Sequence, residues 1–102
     1  PAPAMTLPGP LAGLRILSVE QYGAGPWASM YLADMGAEVV KIEDPAAGDF
    51  ARASGPHMLG ANDSQFFQTF NLGKRSLALD IRRPEGMSVL RRLCVGSAAV
   101  LN

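Results

Sequence analysis

The sequence predicts an α/β fold, a Rossmann-like open, mainly parallel sheet in the order β-α-β-loop-β-α-β. Three observations lead there. Short aliphatic runs bounded by Gly and Pro alternate with longer stretches whose apolar residues recur at helical spacing. Strand, turn, helix and strand fit within about 30 residues, the size of a βαβ unit. The chain has 102 residues, 48% apolar and 18% charged, enough for one small domain with a single core and outside the composition of disordered chains.

The first strand candidate is Leu14 to Glu20 (LRILSVE), an aliphatic run suited to a strand covered on both faces. Gln21 to Gly25 forms a turn of mostly small residues. A helix is expected from Pro26, whose fixed φ and missing N–H suit the first helical position. Trp27, Met30, Tyr31 and Met35 recur at helical spacing and predict its apolar stripe, and Gly36 supplies a left-handed C-cap. Glu38 to Glu43 (EVVKIE) is the second strand. Residues 44–64 carry Pro45, Gly48, Gly55, Pro56 and Gly60 and read as a long loop, a feature that in compact domains often serves function. Gln65 to Asn71 reads as a short helix, because Phe66, Phe67 and Phe70 fall at i, i+1 and i+4. Arg75 to Ile81 turns Leu77, Leu79 and Ile81 inward as a third strand. Pro84 opens a second helix with Met87, Leu90 and Cys94 along one side. Arg91 and Arg92 sit near its C-terminus, where the helix dipole favours cations. Ala98 to Leu101 begins a fourth strand.

Nine basic and nine acidic side chains cancel, so the chain offers no broad field for nucleic acid or an anionic membrane. Cys94 is the only cysteine and His57 the only histidine, which leaves no disulfide within the chain and no zinc site. A reducing, cytoplasmic setting is expected. No apolar run approaches the roughly 20 residues of a membrane span. Residues 1–10 read as a flexible leader without the features of a signal peptide.

In open α/β sheets, ligands bind beyond the carboxyl ends of the strands, where a helix N-terminus offers free N–H groups. The turn at Gly23-Ala24-Gly25 is therefore the first site candidate, and a plain strand-to-helix turn is its alternative. It does not match GxGxxG. Lys74-Arg75 and Arg82-Arg83 flank the third strand, either as a phosphate clamp or as solvated strand ends. Asp49 and Arg52 are expected to pair with each other and shape the long loop. Cys94 is expected to be a buried structural thiol. Trp27 and the phenylalanines are expected in the core or at a subunit contact. Glu20 and Glu43 end the first two strands on the ligand side without a visible acid–base partner.

Four ordered stretches resemble the N-terminus of the family III CoA-transferases, the CaiB/BaiF family. They are Pro10 to Leu17 (PLAGLRIL), Ala24-Gly25-Pro26 with Leu32 to Glu43 (LADMGAEVVKIE), Gly48 to Arg52 (GDFAR), and Asn71 to Ser76 (NLGKRS) with Leu79-Asp80 and Pro84-Glu85-Gly86. The resemblance implies that residues 11–102 form the N-terminal part of a larger Rossmann-like domain whose two subunits interlock as a homodimer. It implies coenzyme A, as acyl-CoA, and a carboxylic acid as substrates, with no metal. It places Gly23 and Ala24, and Leu79, Asp80, Ile81 and Arg82, against CoA.

The same resemblance implies covalent catalysis by an Asp expected downstream of this chain. That carboxylate attacks the acyl-CoA thioester to give a mixed anhydride and CoA thiolate. The thiolate returns to form an enzyme thioester, from which the acceptor acid takes the CoA. No catalytic residue is assigned within these 102 residues, and the chain alone is expected to be inactive. An acyl-CoA racemase of the same family, and a non-catalytic CoA-binding module, are the alternatives. Three positions depart from the family pattern: Gly23 stands where known transferases carry Gln, Asp44 where some carry Arg, and Arg83 where a helix-capping Thr, Ser or Asp is usual.

Overall fold

Four strands, Arg15–Ser18 (β1), Glu38–Glu43 (β2), Arg75–Ala78 (β5) and Ala99–Leu101 (β6), pair in parallel in the order β5-β2-β1-β6. Counted in chain order within this sheet, that is 3-2-1-4, the order of the first four strands of a Rossmann sheet. The structure is a computed structural model that describes residues 8–102, so most of the expected leader lies outside the described residues.

Helix Ala24–Asp34 (α1) connects β1 to β2, and helix Pro84–Val95 (α3) carries the chain from β5 across to β6. Period-two alternation sends the strands' side chains to opposite faces. Ile16 and Val39 face α1, where Leu32 and Ala33 cover them. Leu17, Val40 and Ile42 face the other way, onto Leu90 and Leu93 of α3 together with Leu77, Leu79 and Ile81. The third strand thus turns the expected three residues inward, although its ladder ends at Ala78.

The loop expected over residues 44–64 has structure of its own. A 3-10 helix, Phe50–Ala53, is followed by an antiparallel hairpin of Met58–Gly60 (β3) and Asp63–Ser64 (β4). Asp49 caps the 3-10 helix by accepting from the Ala51 amide at 2.9 Å. Ser64 caps the expected short helix, Gln65–Asn71 (α2), by accepting from the Phe67 amide at 3.0 Å. These local bonds hold a segment whose Gly and Pro content reads as punctuation.

Helix α1 begins at Ala24, two residues before Pro26. It ends as expected. Gly36 adopts φ +101°, and the amides of Gly36 and Ala37 donate to the carbonyls of Ala33 and Leu32, the Schellman pattern. Its buried face differs from the expected stripe. Pro26 and Ser29 are buried, whereas Trp27, Tyr31 and Met35 are exposed, with Trp27 and Tyr31 packed edge to face. The sheet beneath this part of α1 presents hydroxyl and charged groups, so it is covered by the small side of the helix.

Cys94 is also exposed, not buried. Leu90 and Leu93 point into the core, and Cys94 follows on the outward side. No helix among the described residues is long and apolar enough to cross a membrane.

Helix α3 starts from Arg83, extended at φ −94°, ψ 147°, with no side-chain cap. Replacing Arg83 by Asp is expected to stabilise the fold by about 1 kcal/mol, since the new carboxylate can accept from a free amide of the first turn. Comparison of urea unfolding midpoints checks this.

Candidate functional site

Beyond the carboxyl ends of β1, β2 and β5 lies a cavity of about 260 Å³. Val19, Ile42, Leu79 and Ile81 give it apolar walls, and Glu43, Asp44, Asp49, Asp80 and Arg82 give it charge. The segment Leu79 to Arg82 supplies one whole side. It is held by the Leu79 amide, which donates to the Glu43 carbonyl at 2.9 Å. Asp80 accepts from the Arg82 amide at 3.1 Å and from Arg82 Nε at 3.0 Å. Arg82 lies 3.5 Å from Asp44 as well. The Arg82 hydrogen bonds hold the Asp80 carboxyl below its usual range, and Asp80 in turn raises the Arg82 guanidinium.

Of the six residues expected to touch CoA, the structure gathers Leu79, Asp80, Ile81 and Arg82 in one wall. Gly23 and Ala24 stand at the start of α1, outside this wall, and Gln21 lines the cavity in their stead. The basic pairs around β5 do not form one clamp. Arg82 borders this cavity, and Lys74 and Arg75 border another at the opposite end of the strand.

The floor is an ionic layer on the α1 face of the sheet. Lys41 is buried, its Nζ 2.9 Å from Asp49 Oδ2, and it donates to the Glu20 carbonyl at 2.9 Å. Glu43 takes a forked pair of bonds from Arg52, each 2.8 Å, together with the Asp49 amide at 2.8 Å and the Ser76 hydroxyl. The expected Asp49–Arg52 pair is therefore corrected. Each finds a partner on β2, because Lys41 and Glu43 point into the space that the 3-10 helix closes. Glu20 accepts from the hydroxyls of Ser18 and Ser29, and its second oxygen is buried without a partner among the described residues. His57 is exposed.

Tyr22, not a glycine, carries the left-handed backbone of the turn, at φ 76°. Its amide donates to both Asp49 oxygens, at 3.1 and 3.2 Å, and its ring stacks on Phe50 and packs at a tilt against Phe66. These interactions offset the roughly 1–2 kcal/mol that this conformation costs a side-chain-bearing residue. The sequence signal for the layer is a lysine set among the aliphatic residues of the strand EVVKIE.

Burial alone would raise the Glu43 carboxyl from its ordinary 4.5, but the bonds from Arg52, Ser76 and the Asp49 amide, with the Arg52 charge, bring it down to about 2. A depressed folded-state value means that the unfolded chain binds the proton more tightly. Glu43 then contributes about 3 kcal/mol that is complete above pH 4.5 and lost as pH falls toward 2. The stability gap between wild type and Glu43→Gln, followed by urea unfolding against pH, is expected to close over that window.

An open parallel α/β sheet with a cleft at its carboxyl end defines the class of Rossmann-like half-domains, in which ligands bind at that end. The chain belongs to CoA-transferase family III, whose sequence model matches residues 11–102. Succinate–glutarate CoA-transferase of Agrobacterium fabrum is 43% identical over 89 residues, covering 82% of this chain and 22% of that protein. Human succinyl-CoA:glutarate CoA-transferase is 42% identical over 84 residues, covering 82% and 19%. The crystal structure of a CaiB/BaiF family protein from Brucella suis superposes with a TM-score of 0.83 at 37% identity, over 92% of this chain and 25% of that one. This chain thus spans about a fifth of the length of the curated relatives it matches.

Proposed function

We propose that this chain is the CoA-binding N-terminal portion of a CoA-transferase that moves CoA between an acyl-CoA thioester and a carboxylic acid. The observation that carries the reading is the wall Leu79-Asp80-Ile81-Arg82, closing a cavity at the carboxyl end of the sheet in a chain of this family. The apolar walls suit the flat base of the coenzyme. The carboxylates accept hydrogen bonds from hydroxyl or amine groups, and Arg82 is the cation in the wall that can meet a phosphate. Gly23 and Ala24 approach the ligand through their backbone at the start of α1. The chemistry belongs to an Asp further along the full-length chain. The protein works as a homodimer in the cytoplasm and needs no metal.

The test is CoA transfer by the full-length protein, with succinyl-CoA as donor and glutarate as acceptor, followed by chromatography of the acyl-CoA products. Transfer is expected from the full-length protein and none from residues 1–102 alone. Arg82→Ala is expected to raise KM for the acyl-CoA about tenfold with little change in kcat, the mark of an interaction that ground and transition states share equally. Turnover by the 102-residue chain would overturn the reading. An Arg82→Ala protein with wild-type KM would remove the cavity from it.

A further inference from the structure

A separate cavity of about 180 Å³ lies on the α1 face between β2, β5, α2 and the 3-10 helix. It shares no lining residue with the cavity at the carboxyl end of the sheet. Four cations border it, Lys41, Arg52, Lys74 and Arg75, and no carboxylate does.

Three of these side chains are already in ion pairs, although Arg75 shares Glu38 with Arg15. Lys41 pairs with Asp49 at 2.9 Å, Arg52 with Glu43 at 2.8 Å, and Arg75 with Glu38 at 3.2 Å. Lys74 is the exception. Its Nζ donates to the Pro26 carbonyl and to Asn71 Oδ1, both at 2.9 Å, and among the described residues it has no carboxylate within ion-pair distance. An ammonium has three N–H donors, so one is left over. Arg52 uses Nε and Nη2 on Glu43, which leaves its Nη1 edge uncommitted among the described residues, and its guanidinium is held 3.9 Å above the Phe67 ring.

We propose that this cavity binds a small carboxylate, seated between the Lys74 ammonium and the free Nη1 edge of Arg52. Counted over the layer, five cations (Arg15, Lys41, Arg52, Lys74 and Arg75) face four carboxylates (Glu20, Glu38, Glu43 and Asp49), and an excess of one positive charge calls for a monoanion. Two oxygens on a planar group can accept from a guanidinium edge and an ammonium together, which a halide ion cannot reproduce. Burial and the nearby Lys41 charge push the Lys74 ammonium down to about 8 against the pull of the Glu20, Asp49 and Glu43 carboxylates, and an anion beside it favours the charged form. The Arg52–Glu43 and Lys41–Asp49 pairs form the partition between the two cavities, yet the carboxylate site stands whether or not the other cavity takes CoA.

Calorimetric titration of the purified full-length protein with sodium acetate at fixed ionic strength tests this, with sodium chloride and inorganic phosphate in parallel. Saturable acetate binding is expected, with chloride and phosphate competing poorly. Lys74→Met is expected to weaken it about tenfold or more, the scale of a missing charge-assisted bond, and Lys74→Arg to retain it. Asp80→Asn, in the other cavity, is expected to leave it unchanged. NMR of the Lys74 side chain in the unmutated protein is an independent measure: its titration midpoint is expected to rise when acetate is added. Absence of saturable acetate binding to the wild type, or binding unaffected by Lys74→Met, would overturn the proposal, as would a Lys74 midpoint that acetate does not move.

Discussion

Asp49→Ala is expected to lower the stability of the fold by about 3–5 kcal/mol, the cost of removing one partner of a buried ion pair. Asp49 and Lys41 are both almost wholly buried, at 1% exposure each. Without the carboxylate, the Lys41 ammonium keeps only the Glu20 carbonyl as partner. The amides of Tyr22 and Ala51 lose their acceptor as well. Small domains have only about 5–15 kcal/mol in total, so a substantial fraction is at stake. Urea unfolding measures it. Adding Lys41→Met to Asp49→Ala is expected to recover much of the loss, because two apolar groups can replace a buried pair at little net cost. A single-mutant loss below about 1 kcal/mol would mean that the pair is solvated, as surface pairs are.

Gly86→Ala is expected to damage the candidate site from behind. Gly86 is buried in the first turn of α3, and a Cβ there would sit 1.9 Å from the Asp80 carbonyl oxygen and 2.6 Å from its carbon. Backbone cannot rotate aside as a flexible side chain can. Either α3 lifts from the sheet or the Leu79 to Arg82 wall shifts into the cavity. The expected cost is about 1–3 kcal/mol of stability, typical of forced overpacking. The expected loss of CoA affinity in the full-length protein is about tenfold, or about 1.4 kcal/mol. Calorimetry with CoA and urea unfolding read the two effects separately. Retention of both wild-type values would show that the helix and the wall do not touch.

These two residues mark what is and is not legible along the chain. The strand EVVKIE spans the predicted residues, Glu38–Glu43, and helix Gln65–Asn71 likewise matches its prediction. Both carry strong local signals, a run of branched aliphatics in one and clustered aromatics in the other. Motif resemblance sets Leu79 to Arg82 against CoA, and the structure lines one cavity with those four residues. The partners of Asp49 and Arg52 are not legible, because sequence proximity favours pairing them with each other. The fold instead offers both of them charged side chains on β2. Periodicity turns Trp27 and Tyr31 inward, yet both are exposed, since a period identifies a face but not what that face meets.

The sequence by itself determined the order of the strands and helices of the main sheet, its parallel pairing and the family, because these follow from hydrophobic period, turn residues and ordered motifs along the chain. The 3-10 helix and hairpin within residues 44–64 did not show in it. Tertiary structure alone decided which charges pair, where Tyr22 bends the backbone and how closely Gly86 lets α3 approach the Asp80 carbonyl. Those depend on distances between residues far apart in the chain, down to a few tenths of an ångström, and no local pattern encodes them.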